Sequence, residues 1–139
     1  MPRIEEVYRR AVPVTAVMVS VKNSERFFVQ EGEFRNVPAG TLISEGMVSE
    51  NYDFFLISQQ SNRGSTVPNH YRVIYSESKL EEEALEELIF GQCFNYVNWT
   101  GSIKVPAVLQ YAKKCAKFTA EVFEKGEVPE EMRGKPYYV

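Results

Sequence analysis

At 139 residues, 44% hydrophobic and 25% charged, the chain suits one domain or a large piece of one, and its make-up is that of a globular protein rather than a disordered or collagen-like one. No apolar run approaches the roughly 18 residues that span a bilayer, and MPRIEEVYRR lacks the apolar core of a signal peptide, so a cytoplasmic or nuclear location is expected. The net charge of -3 speaks only weakly against nucleic acid. It averages an acidic cluster (Glu77, Glu81, Glu82, Glu83, Glu86, Glu87) with a basic one (Lys104, Lys113, Lys114, Lys117), and binding follows the local field.

Residues 12–21, VPVTAVMVSV, are apolar at both strand parities, as in a strand covered on both faces. Lys22, Asn23 and Ser24 supply a turn, and RFFVQ (26–30) reads as a second strand. Residues 31–40 read as a loop ending in Pro38-Ala39-Gly40, and TLISEG (41–46) as a third strand. NYDFFLISQQ (51–60) is another doubly apolar strand. The polar segment SNRGSTVPN (61–69) follows as a loop, and HYRVIY (70–75) as a further strand.

Ser78 and Glu81 match a capping box opening a helix that should reach about Asn95. Leu80, Ala84, Leu85, Leu88 and Ile89 would form its buried face, with the glutamates in solvent near the positive end of the dipole. After NWTGSIK, Pro106 suits the first turn of a second helix. Leu109, Ala112, Ala116, Ala120 and Phe123 should be its buried stripe, and Gly126 and Pro129 should end it. Strands first and then two helices give an α/β or α+β arrangement. Two strand faces lack partners within the chain, which suggests part of a larger sheet.

The chemistry is marked by an absence. The chain has one aspartate, Asp53, and one histidine, His70. Two-metal cleavage of nucleic acid needs several carboxylates converging on ions about 4 Å apart, and most of the glutamates share one helix face. No nucleophile elbow, Walker loop or dinucleotide fingerprint occurs. Cys93 and Cys115 read as buried small hydrophobes, and His70 as a hydrogen-bonded structural residue. By its own residues the chain is no enzyme, and no cofactor is expected. Binding is the better prospect: Tyr96, Asn98 and Trp99 close one helix, Lys104 lies in the connection, and Gln110, Lys113 and Lys117 rise along the next. Such donors near a helix start suit a phosphate backbone. A solvated helix face explains them equally well.

The run NVPAGTLISEG, YDFFLISQQ, GSTVPNHYRVIYSES, LEEL and CFNYVNWTGSIKVPAVLQYAKK carries a resemblance. It resembles the carboxy-terminal half of the PIWI domain of Argonaute and Piwi proteins. The family's pattern there is N-x-P-x-G-T, D-F-[FY]-L, P-[TS]-H-Y-x-V-[LI], C-x-x-Y and [IV]-P-A-P-x-x-Y-A-H. Order and spacing are kept over roughly residues 12–125 and in the aromatic tail. Ser58-Gln59, residues 73–75 and Asn98-Trp99 lean to the Piwi branch, and a divergent branch stays open.

The resemblance implies an α/β, ribonuclease H-like fold, with residues 1–139 forming a partial PIWI domain that supplies the later strands and helices. It also implies binding of a small guide RNA and its target RNA, silencing effector proteins as partners, and the remainder of an Argonaute or Piwi chain, with no membrane. The family's catalytic aspartates and glutamate lie on other segments, and its histidine ends the Y-A-H stretch, where this chain has Lys113. An ammonium cannot ligate a cation in place of neutral imidazole, so target cleavage is not expected. Guide-backbone roles carry over to Tyr96, Asn98, Lys104 and Gln110, and the channel border to Gln59, Arg63 and Thr66. Val139 would bring the terminal carboxylate to the guide 5′-phosphate pocket, where magnesium is a candidate ion. Asn98, Gln110, Val108 and Phe118 depart from the pattern and leave subfamily and affinity open. Two other readings remain: a protein-interaction fragment that docks silencing partners, and a magnesium-dependent RNA endonuclease when joined to the missing half.

Overall fold

A computed structural model describes residues 12–44, 52–78, 80–123 and 127–139. Among these residues six strands come first: β1 (Thr15–Ser20), β2 (Phe28–Glu31), β3 (Glu33–Asn36), β4 (Thr41–Ile43), β5 (Asp53–Ile57) and β6 (Asn69–Ser76). Helices α1 (Glu82–Gln92) and α2 (Ala107–Val122) follow, and a 3-10 turn spans Glu130–Met132. Four strands pair antiparallel in the order β1-β6-β5-β4, while β2 and β3 make a separate hairpin. The hairpin corrects the expected loop at 31–40. Gly32, at φ 85°, turns the chain from the expected second strand into β3, which the local composition does not announce.

Period-two alternation decides what each strand buries. Phe54 and Leu56 of β5 and Tyr71 of β6 face Leu85 and Ile89 of α1, and Val17, Val19, Leu42, Val73 and Phe90 pack around them. Phe54 and Tyr71 stack with centroids 5.1 Å apart and ring planes 10° apart, a geometry worth about 0.5–1.5 kcal/mol beyond burial. The other face of β5 is covered too: Phe27 meets Phe55 edge-on at 5.4 Å, and His70 lies flat on Phe55 at 4.4 Å. Every β5 residue is buried, as its double apolarity requires.

The turn before β4 is tight. Thr41 N–H donates to the Pro38 carbonyl at 3.3 Å across Gly40, at φ 89°, as in a type II turn. A side chain at Gly40 would also meet the Phe90 ring at 3.3 Å, so glycine lets the turn approach α1.

Three helix expectations need correction. The capping box does not form: Glu81 is the N-cap of α1 with no side-chain bond. The Ser78 hydroxyl is instead shared with Thr15 Oγ1, because β1–β6 pairing brings Thr15 beside Ser76. The helix also stops at Gln92 rather than Asn95, since Cys93 turns into a tighter step and gives its carbonyl to Ile103 N–H at 2.9 Å. Finally, Leu109, Ala112, Ala116 and Ala120 of α2 are exposed. Its packed face is Tyr111, Cys115 and Thr119, which the tail covers: Tyr137 OH lies 3.1 Å from Thr119 Oγ1 and 3.4 Å from Cys115 Sγ. Leu80 and Leu88 are likewise exposed. Glu86 is no free surface acid, because it accepts the Tyr52 hydroxyl hydrogen bond at 2.6 Å. Residues 45, 46 and 51 of the expected strands, and Gly126, lie outside the described residues.

Of the two cysteines, both free, Cys93 is fully buried and Cys115 only partly. Burial pushes the Cys93 thiol up from its ordinary range, which keeps it neutral.

Candidate nucleic-acid interface

The segment between the helices is fixed at its backbone and free at its side chains. The carbonyl of Lys104 accepts from Ser58 Oγ at 2.8 Å and from Asn69 Nδ2, and Ser102 Oγ donates to the Ser58 carbonyl at 2.6 Å. These bonds tie the connection to the ends of β5 and β6 and leave the Lys104 side chain exposed. Pro106, extended at ψ 138°, then starts α2 by accepting from the Leu109 and Gln110 amides.

A groove of about 640 Å³ runs between β1 and the start of α2. Val17, Val19, Val21, Val105 and Leu109 line it, and Lys22, Lys104, Gln110 and Lys113 add three ammonium groups and an amide. Among the described residues no acidic side chain lines it. An apolar floor raises the field of charges beside it, so this groove is electropositive in a chain that is negative overall. Three of the residues expected to bind RNA, Lys104, Gln110 and Lys113, therefore share one place. The sequence reading missed Lys22, a turn residue that joins them only through the position of β1.

Lys104 also borders a second cavity, of about 490 Å³, with Gln59, Gln60, Ser61, Asn62, Thr66, Val67 and Trp99. Gln59 and Thr66, expected at the channel border, line the same cavity as Lys104. Thr66 itself is buried: its hydroxyl accepts from Ser61 N–H at 3.1 Å and its amide donates to Asn36 Oδ1 at 2.9 Å. It shapes the loop more than it presents itself. Trp99, more than half exposed, lines this cavity, although the resemblance gave it no role in the site. Its signal was present, a lone tryptophan in a polar connection.

The other expected residues lie elsewhere. Tyr96 joins an aromatic cluster, 5.3 Å from the Tyr111 ring, and Tyr111 lies 6.4 Å from Tyr138. Lys114 Nζ sits 5.2 Å over the Tyr96 ring. Val139 ends the tail beside Tyr138, with its amide donating to the Pro136 carbonyl at 3.3 Å. Asn98 and Arg63 are exposed and line neither cavity. Lys117 pairs with Glu121 at 3.7 Å on the open helix surface. The three α2 lysines thus have three surroundings: a groove, an aromatic ring and solvent.

The single aspartate and histidine pair with each other. His70 Nε2 lies 2.9 Å from the buried Asp53 Oδ2, and Arg72 reaches the same oxygen at 3.3 Å. With His70 stacked on Phe55, this is a structural tie between β5 and β6, in agreement with the reading of His70. Among the described residues no group of three or more histidine, cysteine or acidic side chains could hold a metal.

Comparison with known proteins agrees with this architecture. The Piwi domain family matches residues 1–124. Piwi-like protein 1 of Gallus gallus is 42% identical over 105 residues, 74% of this chain and 12% of that protein. The crystal structure of Drosophila Piwi superposes with a TM-score of 0.74 at 35% identity, over 83% of this chain and 16% of that one. The crystal structure of Kluyveromyces polysporus Argonaute with a guide RNA gives 0.75 at 26% identity, over 91% and 18%. The chain spans only a small part of the length of each of these relatives. It belongs to the Piwi/Argonaute family, as a PIWI domain fragment of ribonuclease H-like fold.

Proposed function

We propose that the chain is part of a protein that binds a small guide RNA and its target RNA in gene silencing, and that it does not cleave the target. What carries the reading is the groove that gathers Lys22, Lys104, Gln110 and Lys113 without an acidic neighbour among the described residues. Ammonium and amide donors in a row suit phosphates at any sequence. The relative whose structure holds a guide RNA supports the ligand class.

Lys113 supports the absence of cleavage. It stands where the family's Y-A-H histidine is expected and lies in the same groove as Lys104. A protonated lysine attracts a phosphate and repels a metal ion. For magnesium the described residues offer no cluster of three or more ligating side chains to complete a shell of oxygen ligands. They do not by themselves fit the ion, and no step is assigned to it.

The exposed strip of Leu88, Val108, Leu109, Ala112 and Ala116 supports a further part of the reading, that the remainder of a longer Piwi-family chain packs here. It is too apolar for a lasting solvent surface. Silencing effectors are expected on other faces, in the cytoplasm or the nucleus, where two free cysteines are at home.

The test is to isolate the protein from its own cells and sequence the RNA bound to it. A narrow length class with 5′-phosphates is expected, with no slicing of a matched target and magnesium-dependent slicing gained by Lys113→His. Robust slicing by the unaltered protein would refute the non-cutting part. The absence of any discrete RNA would leave a protein-docking fragment.

A further inference from the structure

The second cavity carries chemistry that a phosphate groove does not need. Trp99 lines it and is 57% exposed although it is a tryptophan. The indole lies beside the Gly101 backbone, its Nε1 3.4 Å from where a β-carbon on that residue would stand, an ordinary contact distance. Around it stand Gln59, Gln60 and Asn62. The Gln59 and Asn62 carboxamides can both donate and accept, as the edges of nucleobases do, whereas Gln60 Nε2 already donates to the Asn36 and Val37 carbonyls. No carboxylate lines this cavity among the described residues, and Lys104 connects it to the groove. Its volume, about 490 Å³, is in the range of small-ligand pockets. The walls are held in place: Ser58 and Asn69 fix the Lys104 backbone, and Thr66 fixes the loop through Ser61 and Asn36.

We propose that this cavity takes one unpaired nucleobase of a single-stranded nucleic acid, stacked on Trp99 and bonded along its edge by Gln59 and Asn62, with Lys104 on the adjoining phosphate. The inference rests on the nucleic-acid reading of the neighbouring groove and adds a base-binding subsite to it. An aromatic face accepts any base, because every base has a π-face. The carboxamides then grade the bases by their edges. A peptide ligand would call for an apolar pocket instead of carboxamides lining the same cavity as one ring.

Trp99 is the single tryptophan of these 139 residues, so an emission change present in the parent and absent from Trp99→Phe reports on this cavity. The protein is titrated with a ten-nucleotide single-stranded oligouridylate and with a blunt RNA duplex, following indole emission and, in parallel, the anisotropy of a labelled strand. The single strand should quench the emission over the concentration range of the anisotropy change, and the duplex should not. Trp99→Ala should weaken single-strand binding roughly tenfold or more, and Trp99→Phe should keep most of it. Both variants alter an exposed ring, so their melting curves should overlay that of the parent. Binding seen by anisotropy with unchanged emission and an unaffected Trp99→Ala variant would overturn the subsite and leave the groove standing. Equal quenching by the duplex would overturn the unpaired base. No binding of either RNA would overturn the subsite and the nucleic-acid reading together.

Discussion

Lys113, Lys114 and Lys117 lie within five positions on one helix, yet their surroundings give them different consequences. Lys113 lines the groove, so Lys113→Ala should weaken RNA binding at every sequence and lower the salt slope by about 1. Lys117 is held by an exposed ion pair to Glu121, and exposed pairs contribute little. Lys117→Ala should leave both quantities unchanged, and a filter-binding series across salt concentrations checks the pair of variants together. Asp53 is the opposite case. It is buried and bonded to both His70 and Arg72, so replacing it strands two polar partners in the sheet. Asp53→Ala should cost about 3 kcal/mol of stability, the low end for breaking a buried pair because Arg72 is partly in solvent, as read by urea unfolding.

The strands and helices carry a lesson about what a pattern can say. β5 was legible because apolar residues at both parities have one physical meaning, cover on two faces, and Phe27 and α1 supply that cover. The α2 stripe was legible as apolar and misread as buried. A helical period tells which residues share a face, and only the tertiary partner decides what meets it. Here the tail takes the Tyr111–Thr119 side instead, through Tyr138 and Tyr137. The capping box failed for a related reason, since Ser78 has a competing partner in Thr15 across the sheet. The candidate site followed the same rule: Lys104, Gln110 and Lys113 are close in sequence and were found together, whereas Lys22 reaches them from a distant strand end. At this scale Tyr71 also sets a pH dependence. Burial raises its hydroxyl from the ordinary value of 10.0, so the folded state favours the protonated form. That contribution is fully present below pH 10 and is lost as the pH rises above it, because the unfolded chain ionises first. Thermal melts should show alkaline destabilisation from about pH 10, and Tyr71→Phe should flatten the decline.

For the molecule as a whole, the question is what the open apolar strip on α1 and α2 is for. Val108 is 62% exposed and Leu109 40%, and Leu109 also forms part of the groove floor. In the chain alone Leu109 is 40% exposed and only partly packed, so Leu109→Ala should cost about 1 kcal/mol. If the strip is where the rest of a longer Piwi-family protein packs, the same side chain is interior there. Removing it would then cost about 2–5 kcal/mol, the range for large-to-small changes in a packed core. Measuring urea unfolding of both proteins with the one substitution separates the two states of this surface. A large loss in the longer protein only makes the strip an internal seam, and the exposed leucines a sign of a sheet and helix layer completed elsewhere. An equally small effect in both would mean that the strip stays open, and the apolar face would then belong to a separate protein partner.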